Sequence, residues 1–302
     1  MECHVALIAV PEYNFLFYIR NINYFYFNEM NLTYYWINID NSVYRQLFME
    51  KQFELFNIKN KRITAITPET LSDVINDNPP YFCGNSSCNY NNHNDCKFEY
   101  SCSSSHLEAI KSGYLSGDKY FIVCEDDIYF PFKINYENLI KSLPDDWEIL
   151  QMMVLDKDAN EQLREIYNSS SEIIRFNPSL RLFSTGMYLI NRKGAKRLIK
   201  LFMSNKNNKY NLTNNTLIKQ ADFLLYMNAI TYTSTFPYCF PFIKFVSEIH
   251  PSHYHLHLES INKINDNLKE WNYKNNYIVD YYPLEKFEEN YISLLKEKKL
   301  LN

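Results

Sequence analysis

The sequence predicts an α/β fold with a mostly parallel central sheet, and three observations carry that prediction. Residues 33–66 give strand, helix and strand signals in succession, the order of a β-α-β unit, whose two strands run parallel. Residues 120–124 (YFIVC) form a short unbroken apolar run, as in a strand buried on both faces of a sheet. The chain has 302 residues and is 46% hydrophobic and 17% aromatic, enough for a large core and too apolar for a disordered chain.

Taken in order, residues 1–29 hold a short apolar run and an aromatic-rich segment of no assigned role. The start lacks a basic region and is too short in apolar residues for a span or a signal peptide. Residues 33–39 (TYYWINI) read as a strand from their aromatic and β-branched content, and Asp40, Asn41 and Ser42 cap a helix over 43–56. A second strand follows at 62–66. Residues 68–102 read as loop, given Pro79, Pro80, Gly84 and an Asn-rich cluster. Ser105 and Glu108 have the spacing of a capping box, which starts a helix over 106–115. After the strand at 120–124, Pro131 breaks the chain, and a further strand is expected over 148–154.

Residues 156–178 carry mixed charge with little periodicity and read as a mobile flap or acceptor loop. A strand at 186–190 leads through Asn191, as cap, to a basic helix over 193–202, and 204–216 is polar loop. Asp222 heads an apolar helix, and 236–245 reads as an irregular apolar strand interrupted by Pro237 and Pro241. Residues 284–300 place Leu284, Phe287, Tyr291, Leu294 and Leu295 on one face, an amphipathic helix that docks on its own domain.

The chemistry is concentrated in a few places. Glu125, Asp126 and Asp127 follow the strand at 120–124, and ligand sites in such sheets lie at the carboxyl ends of strands. Carboxylates there can hold a hard divalent cation, which in turn holds phosphates; an acidic turn capping a helix is the competing reading. His250, His253, His255 and His257 are four of seven histidines, and on a strand the last three share a face, a candidate manganese or zinc ligand set. Cys83, Cys88, Cys96 and Cys102 fall within twenty residues with His93 among them; free thiols, two disulfides and a zinc knuckle all remain open. The net charge of −4, without a basic stripe, excludes a dedicated nucleic-acid binder.

Six blocks in order extend this reading: WINID-x4-R (36–45), QFELFNIKNKRITAI (52–66), SHLEAI (105–110), FIVCEDDI (121–128), GMYLINRKGAKRLI (186–199) and ADFLL (221–225). Together, over about residues 34–250, they resemble glycosyltransferase family 25, which includes bacterial lipooligosaccharide galactosyltransferases, collagen β-galactosyltransferases and giant-virus proteins. The resemblance implies a GT-A fold, a Rossmann-like sheet that binds a nucleotide-sugar, as a catalytic domain over 1–260 with a helical extension at 261–302 packed on it. It implies inverting transfer of a hexose, galactose or glucose, from a UDP-sugar to a hydroxyl of a glycan or a collagen-like protein.

Carried onto this chain, Glu125 and Asp127 become the outer positions of a DxD-type motif holding Mn2+ or Mg2+, with Asp126 between them, and His250 or His253 completes the set. A glutamate in the first place departs from a literal Asp-x-Asp. Asp222 matches an acid of the family block and is the candidate general base, against a plain capping role. Arg45 and Lys193, with Arg192, are candidates for neutralising the diphosphate. His106 follows the family's Ser-His pair. The implied partners are a nucleotide-sugar and an acceptor, with no nucleic acid and no membrane span; an oligomer stays open. The implied place is the host cytoplasm or a virion. A catalytically inactive glycan-binding or assembly protein on the same fold is the rival reading. A two-metal phosphoesterase would need more His and Asp ligands spread over several strand ends.

Overall fold

The computed structural model describes residues 30–76, 93–169, 171–204, 207–212, 220–242, 244–245, 254–271, 278–279 and 282–301, with 93–96, 254, 256, 269–271 and 278–279 described by backbone alone. In chain order the elements are β1 (Tyr34–Asn38), α1 (Val43–Leu55), β2 (Asn60–Thr64), α2 (Leu71–Val74), α3 (His93–Leu115), β3 (Tyr120–Glu125), β4 (Ile128–Tyr129), β5 (Lys133–Ile134), α4 (Tyr136–Ser142), β6 (Ile149–Gln151), α5 (Lys157–Asn168), β7 (Ile173–Arg175), β8 (Met187–Asn191), α6 (Arg192–Phe202), α7 (Ala221–Tyr226), β9 (Thr231–Ser234), β10 (Phe240–Pro241), α8 (Tyr254–Trp271), β11 (Ile278–Val279) and α9 (Leu284–Glu297).

Seven strands form one sheet in the order β2-β1-β3-β8-β6-β9-β7. β2, β1, β3, β6 and β9 run one way, while β8 and β7 run the other. The sheet is thus mixed rather than mostly parallel. The reason lies at Gly186, whose carbonyl accepts from Glu125 N at 2.9 Å. The chain re-enters the sheet at the edge where β3 ends, so β8 has to run back.

Alternation along each strand sends neighbouring residues to opposite faces. Tyr35, Ile37, Phe121 and Val123 pack with Leu107 and Ile110 of α3, Leu198 and Phe202 of α6 and Leu224 of α7. Trp36, Ile122, Cys124 and Leu189 face the other way, onto Phe48 and Phe53 of α1, Ile264 and Leu268 of α8 and Phe287 and Tyr291 of α9. Helices therefore cover both faces, which is why these strands read as unbroken apolar runs.

Several expectations need correction. Residues 68–102 are not all loop, because α2 lies there and α3 begins at His93. Ser105 and Glu108 are no capping box; they sit inside α3, where Ser105 Oγ donates to Ser101 O at 2.8 Å and accepts from Ile66 N at 2.8 Å. The expected flap at 156–178 contains α5, capped by Asp156 accepting from Ala159 N at 2.9 Å, and then β7. The strand expected over 236–245 shrinks to β10, and β9 precedes it. The histidine strand is a helix: α8 starts at Tyr254, so His255 and His257 lie on helical spacing, and α8 runs unbroken through residue 260.

Other expectations hold. Asn191 caps α6, its Oδ1 accepting from Gly194 N at 2.9 Å. The tail helix docks on its own chain, with the Phe48 ring 5.3 Å from Phe287 and 5.6 Å from Tyr291. Among the described residues no helix is long and apolar enough to cross a membrane. Cys102 carries no disulfide; Cys83 and Cys88 lie outside the described residues, as does the side chain of Cys96.

Candidate active site

Strand β3 ends at Glu125, and Asp126 and Asp127 form the turn into β4. Asp126 is buried and fastened on both oxygens: Arg45 Nη1 donates to Oδ1 at 2.7 Å, and Asn38 Nδ2 donates to Oδ2 at 2.6 Å. The middle acid therefore ties the end of β3 to the end of β1 and to α1. Arg45 Nη1 also lies 3.4 Å from Asp127 Oδ2, so one guanidinium serves two carboxylates. Its flat face lies over the Phe245 ring, 5.3 Å from the centroid.

The outer two acids have opposite characters. Burial pushes the Asp127 carboxyl up to about 7, and the charges of Glu125 and Asp126 add to that, with Arg45 offsetting only part. Burial acts on Glu125 as well, but there the His106 imidazole and the Thr185 hydroxyl outweigh it and hold the carboxyl below the ordinary range. Thr185 Oγ1 donates to Glu125 Oε1 at 2.9 Å, and His106 Nε2 stands 3.4 Å from the same oxygen. His106 Nδ1 lies 3.2 Å from the Tyr188 hydroxyl.

Two cavities meet at these acids, and Glu125 and Asp127 line both. The larger, about 280 Å³, opens over the carboxyl ends of β1 and β2 and is walled by Asn38, Arg45, Thr67, Phe98, Cys102 and His106. The smaller, about 80 Å³, is walled by Met153, Ser184, Gly186, Phe245, His257 and Ile261. Helix α8 forms one side of the smaller cavity, and His257 is the histidine it brings there. His250 and His253 lie outside the described residues.

Asp222 sits on the first turn of α7 and is not its cap, which is Gln220. Its Oδ1 accepts from Phe223 N at 2.9 Å, and its Oδ2 accepts from Ser184 N at 3.3 Å. Burial raises this carboxyl above its ordinary range, and the charge of Glu99 adds to the effect. Ser184 joins Asp222 to the smaller cavity, and its backbone is strained, with φ at 121°. Three partners hold that conformation: Gln151 Nε2 and Tyr226 OH donate to its carbonyl at 3.1 and 2.9 Å, and its Oγ accepts from Gly186 N at 3.0 Å. The Cys102 thiol, pushed up by burial, feels Glu125, Glu99, Asp222 and Asp127, so these acids share one neighbourhood.

A family model described as "Glycosyltransferase family 25 (LPS biosynthesis protein)" matches residues 31–218, more than half of the chain. The chain belongs to glycosyltransferase family 25. Among curated protein sequences none matches it. The family 25 segment spans β1 to α6 and so carries Arg45, the acid triplet, His106 and Ser184. Asp222 and His257 lie beyond it. His257 lines the smaller cavity from α8, whereas Asp222, on α7, lines neither cavity and is linked to the smaller one through Ser184 N.

Lys193 does not reach this site. It stands at the opposite end of the strands, where Asn191 is in register with Tyr120, a distance of roughly 16 Å along β3 from Glu125. There its Nζ lies 3.5 Å from the buried Glu148, whose carboxylate also accepts from Arg197 Nε and Nη2 at 2.7 and 2.9 Å. Arg192 belongs to the same end, donating to Tyr114 O at 2.7 Å. The basic helix thus neutralises a buried structural acid. Sequence reasoning did not single out Asn38, Thr185 or Ser184. Asn38 had one signal, a polar residue near the end of an apolar strand; the other two look like ordinary residues before a glycine.

Proposed function

We propose that this chain is a metal-dependent hexosyltransferase on a GT-A-type sheet, moving galactose or glucose from a UDP-sugar to a hydroxyl with inversion. One observation carries the reading. Asp127 is a buried carboxylate with its proton affinity raised to about 7, beside two more acids and one guanidinium, where the two cavities join. Such an excess of buried negative charge suits a cation that the protein itself does not supply. Oxygen donors fit Mn2+ or Mg2+, with Asp127 and Glu125 as the residues to hold it and His257 as the nitrogen donor at hand. When bound, the ion stabilises the charge that grows on the departing diphosphate.

The chain's own residues have separable tasks. The larger cavity accepts the nucleoside, with Asn38 and Arg45 fixing its floor through Asp126. The smaller cavity, closed by α8, holds the sugar away from water. Asp222 accepts the acceptor hydroxyl's proton on a carboxylate oxygen, and burial makes it a stronger base than an ordinary aspartate. The strained Ser184 amide keeps Oδ2 oriented while that proton arrives. The family description, lipopolysaccharide biosynthesis, favours a glycan acceptor over a collagen-like protein.

The test is a panel of nucleotide-sugars with Mn2+, with Mg2+ and with chelator, scoring released nucleoside diphosphate with and without glycan acceptors. Release from one UDP-hexose that chelator abolishes is expected. Asp222→Asn should lower kcat on the order of 10²–10⁴-fold while leaving donor KM near the wild-type value. Release that persists in chelator, or an Asp222→Asn enzyme of full kcat, would overturn the metal or the base.

A further inference from the structure

Helix α3 carries Cys102 and His106 four residues apart, so their side chains lie one above the other on one face. That face meets the end of β3. There the Cys102 Sγ, one ring nitrogen of His106 and a carboxylate oxygen of Glu125 all lie within 4.8 Å of one another. His106 is 1% exposed, and its Nε2 has no hydrogen-bond partner among the described residues, although it points at Glu125 Oε1 from 3.4 Å. That 3.4 Å contact pairs the buried ring nitrogen with the carboxylate only loosely, and a cation bound between thiol, imidazole and carboxylate would satisfy it better.

We propose that Cys102, His106 and Glu125 form a site for a borderline-soft divalent ion of the Zn2+ class. Sulfur, imidazole and carboxylate are the donor types such an ion selects, whereas Mn2+ and Mg2+ favour sets of oxygens. A tetrahedral Zn2+ with ordinary bond lengths spaces its N, O and S donors about 3.3–3.6 Å apart. The 3.4 Å between His106 Nε2 and Glu125 Oε1 already meets that spacing, and the thiol closes the rest by moving about 1 Å. The supporting contacts are those of a metal site. Tyr188 OH engages His106 Nδ1, leaving Nε2 as the ligand atom, and Thr185 Oγ1 orients Glu125.

All three residues line the larger cavity, so an ion enters from there and keeps its fourth position open to it. Binding converts the Cys102 thiol to a metal-bound thiolate and releases one proton to solvent. Occupancy also takes Glu125 from the oxygen-ligated ion. On the transferase reading above, Zn2+ therefore lowers transfer that Mn2+ or Mg2+ supports; the binding itself does not depend on that reading.

The experiment titrates Co2+, a spectroscopic substitute for Zn2+, into the full chain stripped of metal, with no donor sugar present. The wild type should show a thiolate-to-cobalt charge-transfer band that saturates at one equivalent and is displaced by Zn2+. Cys102→Ser should lose the band with a melting temperature close to wild type in the absence of metal, and His106→Ala should weaken affinity at least tenfold. A triple variant replacing Cys83, Cys88 and Cys96 by Ser should keep the band. No band in the wild type, a band that survives Cys102→Ser, or one lost in the triple variant overturns the site. Because the readout needs no turnover, its failure is separate from any failure of donor hydrolysis.

Discussion

Replacing Asp127 by Asn should make the metal-free protein more stable and, at the same time, inactive. The folded chain holds the Asp127 proton with a pKa of about 7, against an ordinary 3.8. The unfolded chain therefore gives up this proton first as pH rises, and stability falls between the two values. About 3 pKa units at ~1.4 kcal/mol each amounts to roughly 4 kcal/mol of destabilisation above pH 7, more than half of it arising between pH 5 and pH 7. Asparagine has nearly the same shape and no charge, so Asp127→Asn escapes this cost, while Arg45 keeps Asp126 as its partner.

Thermal melts at pH 5 and pH 8 in chelator give the check. The gap between Asp127→Asn and wild type should widen toward pH 8 by about 5 °C, taking roughly 2 °C per kcal/mol for a chain of this size. Adding Mn2+ at pH 8 to about a hundred times its Kd should raise the wild-type melt by a similar amount, equivalent to about 2.7 kcal/mol, and leave the variant unmoved. A gap that does not change with pH, or an equal Mn2+ effect on both proteins, would refute both the buried charge and its link to the cation.

Three further outcomes follow from the geometry. Lys193→Ala should leave the donor KM unchanged in the release assay, since its ammonium serves Glu148 at the far end of the strands. Gly194→Ala should lower the melting temperature by a few degrees, because an added Cβ would lie 2.9 Å from both the Cβ and the carbonyl oxygen of Glu148; overpacking at about 1–3 kcal/mol outweighs the gain in helix propensity. Truncation after Pro283 should abolish soluble expression: it removes the buried Phe287, Tyr291 and Leu295, about 6 kcal/mol of apolar burial, and uncovers Phe48.

What could be read in advance follows from where the signal resides. β1, β3 and β8 have both faces covered, so each is a plain apolar run, and α6 and α9 carry their stripe at helical spacing. α3 was half hidden because the stretch Ser101–Cys102–Ser103–Ser104–Ser105–His106 is polar yet almost wholly buried, with the Ser105 hydroxyl turned back to the Ser101 carbonyl and Ser101, Cys102, Ser105 and His106 lining the larger cavity. β9 (TYTS) went unassigned although Thr and Tyr favour strands, because its inward residues are polar rather than apolar: Thr231 and Thr233 are buried, and Thr233 Oγ1 donates to the buried Gln151 at 2.8 Å. At the site, the acid triplet was legible because it interrupts an apolar strand. Its partners come from distant segments, and the spacing of Asn38, Thr185, Ser184 and Asp222 along the chain says nothing about their meeting.

The antiparallel course of β8 is what makes that meeting work. Among the strands flanking β3, β1 delivers its carboxyl end to the cleft, and with it Asn38. β8 delivers its entry loop, so that Ser184, Thr185 and Gly186 face the acids before the strand begins. Thr185 is thereby aimed at Glu125, and the Ser184 amide at Asp222, from consecutive residues of one short segment. Holding Ser184 at φ 121° costs on the order of 1–3 kcal/mol, which the hydrogen bonds from Gln151, Tyr226 and Gly186 offset. The two carboxylates of the proposed reaction, one holding the cation and one taking the proton, are therefore set by a single strained turn. Movement of that turn would disturb both together, which couples cation binding to base position without any wider change in the sheet.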